Sequence, residues 1–160
     1  MSAEGARAVI LGPGEGAIVT NPLGGPLSLK IRAEDTGGRL AAFESVAAPG
    51  EGPPLHLHQQ QDEVLYVLEG TLRVRLGDEV RDAPGGTFVF IPRQSVHTWQ
   101  NVGWEPARLL VIVAPAGLER FFERFAALPA DVSPAEAFRE YGPEVGMKIL
   151  GPPLRESHPL

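Results

Sequence analysis

Four histidines occur in the 160-residue chain. Two of them, His56 and His58, stand one residue apart in the segment His56-Leu57-His58-Gln59-Gln60-Gln61-Asp62-Glu63. Side chains alternate along an extended backbone, so positions i and i+2 share a face. Pro53-Pro54 just upstream disfavours helix and favours extended geometry. Both imidazoles can then offer a ring nitrogen to one ion. An acid is needed to complete such a site, and Asp62 and Glu63 both follow. If Glu63 faces inward, Leu65 and Val67 do too, and Val64, Tyr66 and Leu68 face out. Both faces are apolar, so parity alone does not choose between the two acids. A third histidine, His97, lies far downstream in a separate β-type run, with Trp99 and Asn101 on its face. A barrel can bring that run beside the first pair. His158, in the tail Arg155-Glu156-Ser157-His158, is left out.

The elements that must position these groups are short. From about Ala17 to Ala114, β-type runs are separated by Gly, Pro or Asp. They are expected at Ala17–Asn21, Leu27–Ile31, Leu40–Val46, Glu63–Glu69, Thr71–Leu76, Glu79–Ala83, Thr87–Ile91, Val96–Asn101 and Ala107–Ala114. Gly77-Asp78 reads as a hairpin tip. Many short strands, with no helical segment between them, indicate a sandwich or small barrel rather than a parallel βαβ fold. After Pro115 the pattern changes. Leu118, Phe121, Phe122, Phe125 and Ala126 fall on one helical face, and Glu119, Arg120, Glu123 and Arg124 on the other. Ser133-Pro134-Ala135-Glu136 is a capping box with Pro at the first helical position, and that second helix is expected to end at Gly142-Pro143. The Phe-rich stripe reads as core or interface rather than ligand pocket. The expected organisation is a β-barrel over residues 1–116, with its core at 40–114. A C-terminal helical extension over 117–160 would pack on the barrel or on a dimer partner.

Two segments resemble the paired motifs of the cupin superfamily. The first motif is Gly, five residues, His-x-His, three or four residues, Glu, six residues, Gly. It is met at Gly50, His56, His58, Glu63 and Gly70. The second is Gly, five residues, Pro-x-Gly, two residues, His, three residues, Asn. It is met at Gly86, Pro92, His97 and Asn101, with Gln94 where the motif has Gly. Gly at that position would permit a positive φ more readily than Gln. The resemblance implies an all-β double-stranded β-helix, a cupin or jelly-roll barrel, here with two short C-terminal helices. It also implies a metal held by His56, His58, Glu63 and His97, which selects Glu63 over Asp62. Imidazole and carboxylate suit one divalent transition metal (Fe, Mn, Ni, Co or Zn) rather than Cu(I) or Ca²⁺. Four such ligands leave two positions of an octahedral ion open for water, O₂ or a bidentate substrate.

Composition narrows the partners. The net charge is −6, and no Lys/Arg cluster suggests a nucleic-acid groove. Cysteine is absent, which removes disulfides and thiolate metal sites. The longest apolar run, Leu109–Ala114, is too short to span a bilayer, and no leader pattern opens the chain. A soluble cytoplasmic protein without nucleic-acid or membrane partners is expected. The outward apolar face of Val64, Tyr66 and Leu68 needs cover, and a homodimer is the expected assembly. Gln59, Gln60 and Gln61 read as loop, Asn101 as a structural hydrogen-bonder, Arg93 as a solvated loop charge, and Phe43, Phe88 and Phe90 as core or cavity lining.

Three functions compete on this site. The first is a dioxygenase-like oxidoreductase, similar to small quercetinase-like cupins, acting on a small aromatic or enolic molecule with Glu63 as general base. The second is a non-redox metal-dependent isomerase or cyclase. The third is a non-catalytic small-molecule-binding protein.

Overall fold

A computed structural model describes residues 5–157; His158 lies outside the described residues. Eleven strands among them form two antiparallel sheets that face one another. The larger runs in the order β1 (Ala17–Thr20), β2 (Gly24–Ile31), β3 (Ala41–Ala47), β10 (Ala107–Ala114), β5 (Asp62–Glu69) and β8 (Phe88–Ile91). The smaller runs in the order β11 (Met147–Pro153), β4 (Pro54–His58), β9 (His97–Asn101), β6 (Thr71–Leu76) and β7 (Glu79–Pro84). This is an all-β jelly-roll barrel, the expected fold class, with short helices attached. No helix among the described residues is long and apolar enough to cross a membrane.

Strict two-residue alternation places the core between the sheets. Along β10, Ala107, Leu109, Val111 and Val113 are buried while the residues between them are half-buried. The same parity turns Leu65 and Val67 of β5 inward and leaves Tyr66 on the outside. Strands β6 and β7 meet at Gly77-Asp78, where Gly77 has φ 58, the left-handed conformation a tight hairpin demands. Parity also corrects one expectation. Leu65 pairs with Val89 and Glu63 with Ile91, so Val89 and Ile91 take the inward positions of β8. Phe88 and Phe90 therefore project outward, 62% and 55% exposed, and belong neither to the core nor to the cavity beside the histidines.

The last quarter of the chain closes the barrel. Helix α2 (Glu119–Ala126) buries Phe121 and Phe122, and Phe122 packs on Phe43 with ring centroids 5.0 Å apart. Helix α3 (Pro134–Tyr141) begins where Ser133 Oγ accepts from the Glu136 backbone N–H at 3.2 Å, with Pro134 in its first turn. Its Phe138 stacks on Phe121 at 4.8 Å. The sequence pattern ends in helix, yet the chain then returns as β11. The Gly151-Pro152-Pro153 run reads as turn composition, but prolines are tolerated at a sheet edge, and β11 is one. It pairs with β4, Met147 opposite His58 and Ile149 opposite His56.

A second correction concerns Glu119. The helical pattern assigns it to the polar face, but it is only 1% exposed. Its carboxylate accepts from the Ala33 backbone N–H at 3.0 Å and from that of Gly117 at 2.7 Å. It thus pins the start of α2 to the helical turn α1 (Ala33–Thr36), and its negative charge suits a helix N-terminus. Substituting Glu119→Ala strands two donors and is expected to cost about 3 kcal/mol. Urea unfolding measures it; a loss below about 0.5 kcal/mol would mean that this carboxylate is dispensable.

Candidate metal centre

Three strands and one β-turn deliver the site. Strand β4 turns His56 and His58 inward together, β5 brings Glu63 near its start, and β9 opens on His97 directly opposite His56. The turn before β9 depends on Gln94, the only described non-glycine residue with positive φ, at 69. Gln therefore adopts the conformation that glycine holds in the resembling motif. It is held there by two bonds: its backbone N–H donates to the His58 carbonyl at 2.7 Å and its side chain to the Gln59 carbonyl at 2.9 Å.

All four side chains are buried, and their ligand atoms lie within 4.8 Å of one another. His56 Nδ1 lies 2.7 Å from the Pro54 carbonyl and His97 Nδ1 2.9 Å from that of Ser95. A carbonyl only accepts, so each Nδ1 carries the proton and each Nε2 is left as the ligand atom. Nε2 of His58 and of His97 both lie 3.0 Å from the same Glu63 oxygen, Oε2. Nδ1 of His58 has no hydrogen-bond partner among the described residues.

Electrostatics follow from burial and this convergence. Burial penalises the Glu63 carboxylate, but the neighbouring rings of His58 and His97 outweigh it and hold its pKa well below the usual range. Burial, with His97 and His58 close by, drives His56 well below an ordinary imidazole. Burial also opposes charge on His97, but the Glu63 hydrogen bond and charge prevail and raise its pKa. With Nδ1 committed to Ser95, His97 can donate to Glu63 only as an imidazolium. A bound cation would stand in place of that proton. Three imidazole nitrogens and one carboxylate, buried and convergent, fit a divalent transition metal by donor type.

Asp62 is elsewhere. Its carboxylate accepts from the Arg93 backbone N–H at 3.0 Å and pairs with the Arg93 guanidinium, 3.0 Å from Nη2. Those bonds lower its pKa to about 2. Arg93 is thus paired rather than merely solvated, and Asp62 is outside the cluster. Asn101 behaves as expected: Nδ2 donates to the carbonyls of Ala47 and Glu105, and Oδ1 accepts from Gly103 N–H.

A cavity of about 40 Å³ adjoins the cluster, room for a few waters at the roughly 10–15 Å³ each requires. Among the described lining residues, Ser45 supplies the one hydroxyl and Trp99 an indole N–H; apart from these, His56, His58 and Glu63, the wall is apolar. Phe43, Trp99 and Leu109 come from the barrel, while Phe122, Phe138 and Met147 come from the C-terminal segment. The Phe-rich stripe is therefore both core and pocket wall. Sequence reasoning missed Ser45, Phe138 and Met147. No local pattern marks a serine inside a strand, and Met147 enters only through β11.

Comparison with known proteins agrees with this geometry. Residues 43–113 match the family described as the cupin domain. The chain is similar to the tetracenomycin polyketide synthase protein TcmJ of Streptomyces glaucescens, 38% identical over 81 residues, which is 50% of this chain and 52% of that protein. It is also similar to mannose-1-phosphate guanylyltransferase 2 of Escherichia coli O157:H7, 30% identical over 83 residues, 52% of this chain but 17% of that protein. The chain thus spans about half or less of these relatives' lengths. In structure it superposes on an RmlC-like cupin from Shewanella frigidimarina with a TM-score of 0.61 and 17% identity, covering 72% of this chain and 98% of the other.

Proposed function

We infer from this cupin barrel, with its cupin domain at residues 43–113, that the protein is a metal-dependent enzyme acting on a small aromatic or enolic molecule, with dioxygenase-like chemistry. The ligands in this reading are His56, His58, Glu63 and His97. The observation that carries it is a buried four-ligand cluster opening onto an apolar pocket. Iron, manganese, nickel, cobalt and zinc all suit the donors. A metal held by these four residues would supply Lewis-acid activation of a substrate hydroxyl and, if redox-active, a route to O₂.

The chain's own groups supply the rest. Pro54 and Ser95 fix two imidazole tautomers, so both rings present Nε2 without rearrangement. Among the described residues Glu63 is the only carboxylate lining the pocket, so in this reading it is the group placed to take a proton from an approaching hydroxyl. Phe43, Phe122 and Trp99 exclude water, which sharpens electrostatics within the site and protects a reactive substrate. O₂ is the sole co-substrate in this reading, and both its atoms end in the product.

A second reading, non-redox cyclisation or isomerisation of a metal-bound enolate, is favoured by the similarity to a polyketide synthase protein. It uses the same residues. An oxygen-electrode screen of catechols, flavonols and β-diketones, beside elemental analysis, separates the two. Oxygen uptake supports the first. Turnover under nitrogen supports the second. A ligand-induced rise in melting temperature with turnover under neither gas reduces the protein to a binding module.

The outer face of the larger sheet supports a homodimer. Tyr66 pairs with Phe88 and Val64 with Phe90 across β5 and β8, and no described element covers them. Large aromatics of about 150–250 Å² each, exposed together, favour burial against a second copy. The double variant Phe88→Glu, Phe90→Glu is expected to sediment as a monomer where the parent sediments as a dimer. A monomeric parent would sink the assembly.

A further inference from the structure

We propose that Ser45 is a substrate-anchoring residue at the end of the pocket remote from the metal ligands. Its hydroxyl would donate to an acceptor oxygen on an elongated, flat, apolar ligand whose other end binds the metal; this rests on the metal-dependent reading above.

Ser45 is 2% exposed and faces the pocket from β3. Its environment dictates which way its proton goes. Asn21 Nδ2 donates to Ser45 Oγ at 2.8 Å and to the Val46 carbonyl at 3.1 Å. Asn21 Oδ1 accepts from the Leu23 backbone N–H at 3.0 Å. A backbone N–H only donates, so the Asn21 amide cannot be flipped, and Ser45 is the acceptor in that bond. The Ser45 hydroxyl itself donates to no described residue. A buried hydroxyl without an acceptor is costly, and Phe43, Trp99, Leu109 and Phe122 in the pocket wall offer it none. The proton is held ready for something that enters the pocket.

Register sets the length of that ligand. Glu63 lies opposite Val113, which lies opposite Ala41. Ser45 lies opposite Leu109, which lies opposite Val67. The two rows are four residues apart along β3, about 13 Å at the usual strand rise. Glu63 and Ser45 also stand two strands apart, roughly 10 Å across the sheet, so with both side chains reaching into the pocket roughly 10–15 Å separates the carboxylate from the hydroxyl. Two or three linked rings span that gap. The ligand class is therefore an aromatic chelator with metal-binding oxygens at one end and a carbonyl-type acceptor at the other. The present cavity is too small for it, so Phe122 and Phe138 on α2 and α3 must give way on entry.

The test uses cobalt-loaded protein and two probes, 3-hydroxyflavone and its 4′-acetyl derivative, which adds a carbonyl at the far end. Affinity is read from the cobalt absorption spectrum and from the shift in melting temperature. The parent protein is expected to bind the acetyl probe about fivefold more tightly, the worth of one net hydrogen bond. Ser45→Ala should erase that preference while leaving 3-hydroxyflavone affinity and cobalt content unchanged. Ser45→Cys, which keeps size and a weak donor, should retain part of it and covers the case of an Ala variant that fails to fold. Equal affinity of the parent for both probes, or equal weakening of both by the substitution, overturns the proposal. Failure of both probes to bind also overturns it, and cobalt uptake then decides whether the metal-dependent reading falls with it.

Discussion

Protein stripped with a strong chelator is expected to melt about 10 °C lower than the metal-loaded form, and to recover when one equivalent of a divalent transition metal is returned. A ligand at a thousandfold excess over its Kd stabilises by about 4 kcal/mol, and a chain of this size shifts by roughly 2–4 °C per kcal/mol. The structure gives the effect its cause. Without a cation, three close rings and a carboxylate share one buried space, and His97 must carry a proton to satisfy Glu63. His58→Ala should abolish both the bound metal and the chelator's effect. Scanning calorimetry with elemental analysis checks this, and a melting temperature indifferent to chelator and to added metal would remove the site.

Glu63→Gln is expected to lower turnover at saturating metal by about 100-fold or more, the span of general acid–base assistance. Gln has nearly the same shape but neither charge nor basicity. The three imidazoles remain, so metal should still be retained at high concentration. Steady-state turnover on whichever substrate the screen identifies, with metal content measured on the same sample, separates loss of a base from loss of a ligand. Unchanged turnover with metal retained would refute the proton-accepting role.

Much of this site is written locally. The His-x-His spacing and the prolines before it are short-range facts, and they place His56 and His58 together on one inward face. The outer acid, Asp62, could not be separated from Glu63 by parity, because both faces of that strand are apolar. Its pairing with Arg93 across the turn settles the matter, and that contact joins residues 31 apart. Other features depend wholly on long-range packing. Glu119 reads as a solvated helix residue until α1 supplies a donor from residues 86 positions away. Phe88 and Phe90 read as core or cavity lining until their partners in β5 fix which way they point. Ser45 carries no pattern at all; its significance comes from an asparagine 24 residues before it.

Strand β11 has a consequence for how the molecule is made. The histidine-bearing β4 is flanked on one side by β9 and on the other by residues 147–153. A chain emerges from the ribosome amino end first, at about 5–20 residues per second. The strand that carries two of the four candidate ligands therefore waits until residues 147–153 have been made before its second edge is covered. Cation capture should accordingly follow the emergence of those residues rather than guide the early collapse of β4 and β9.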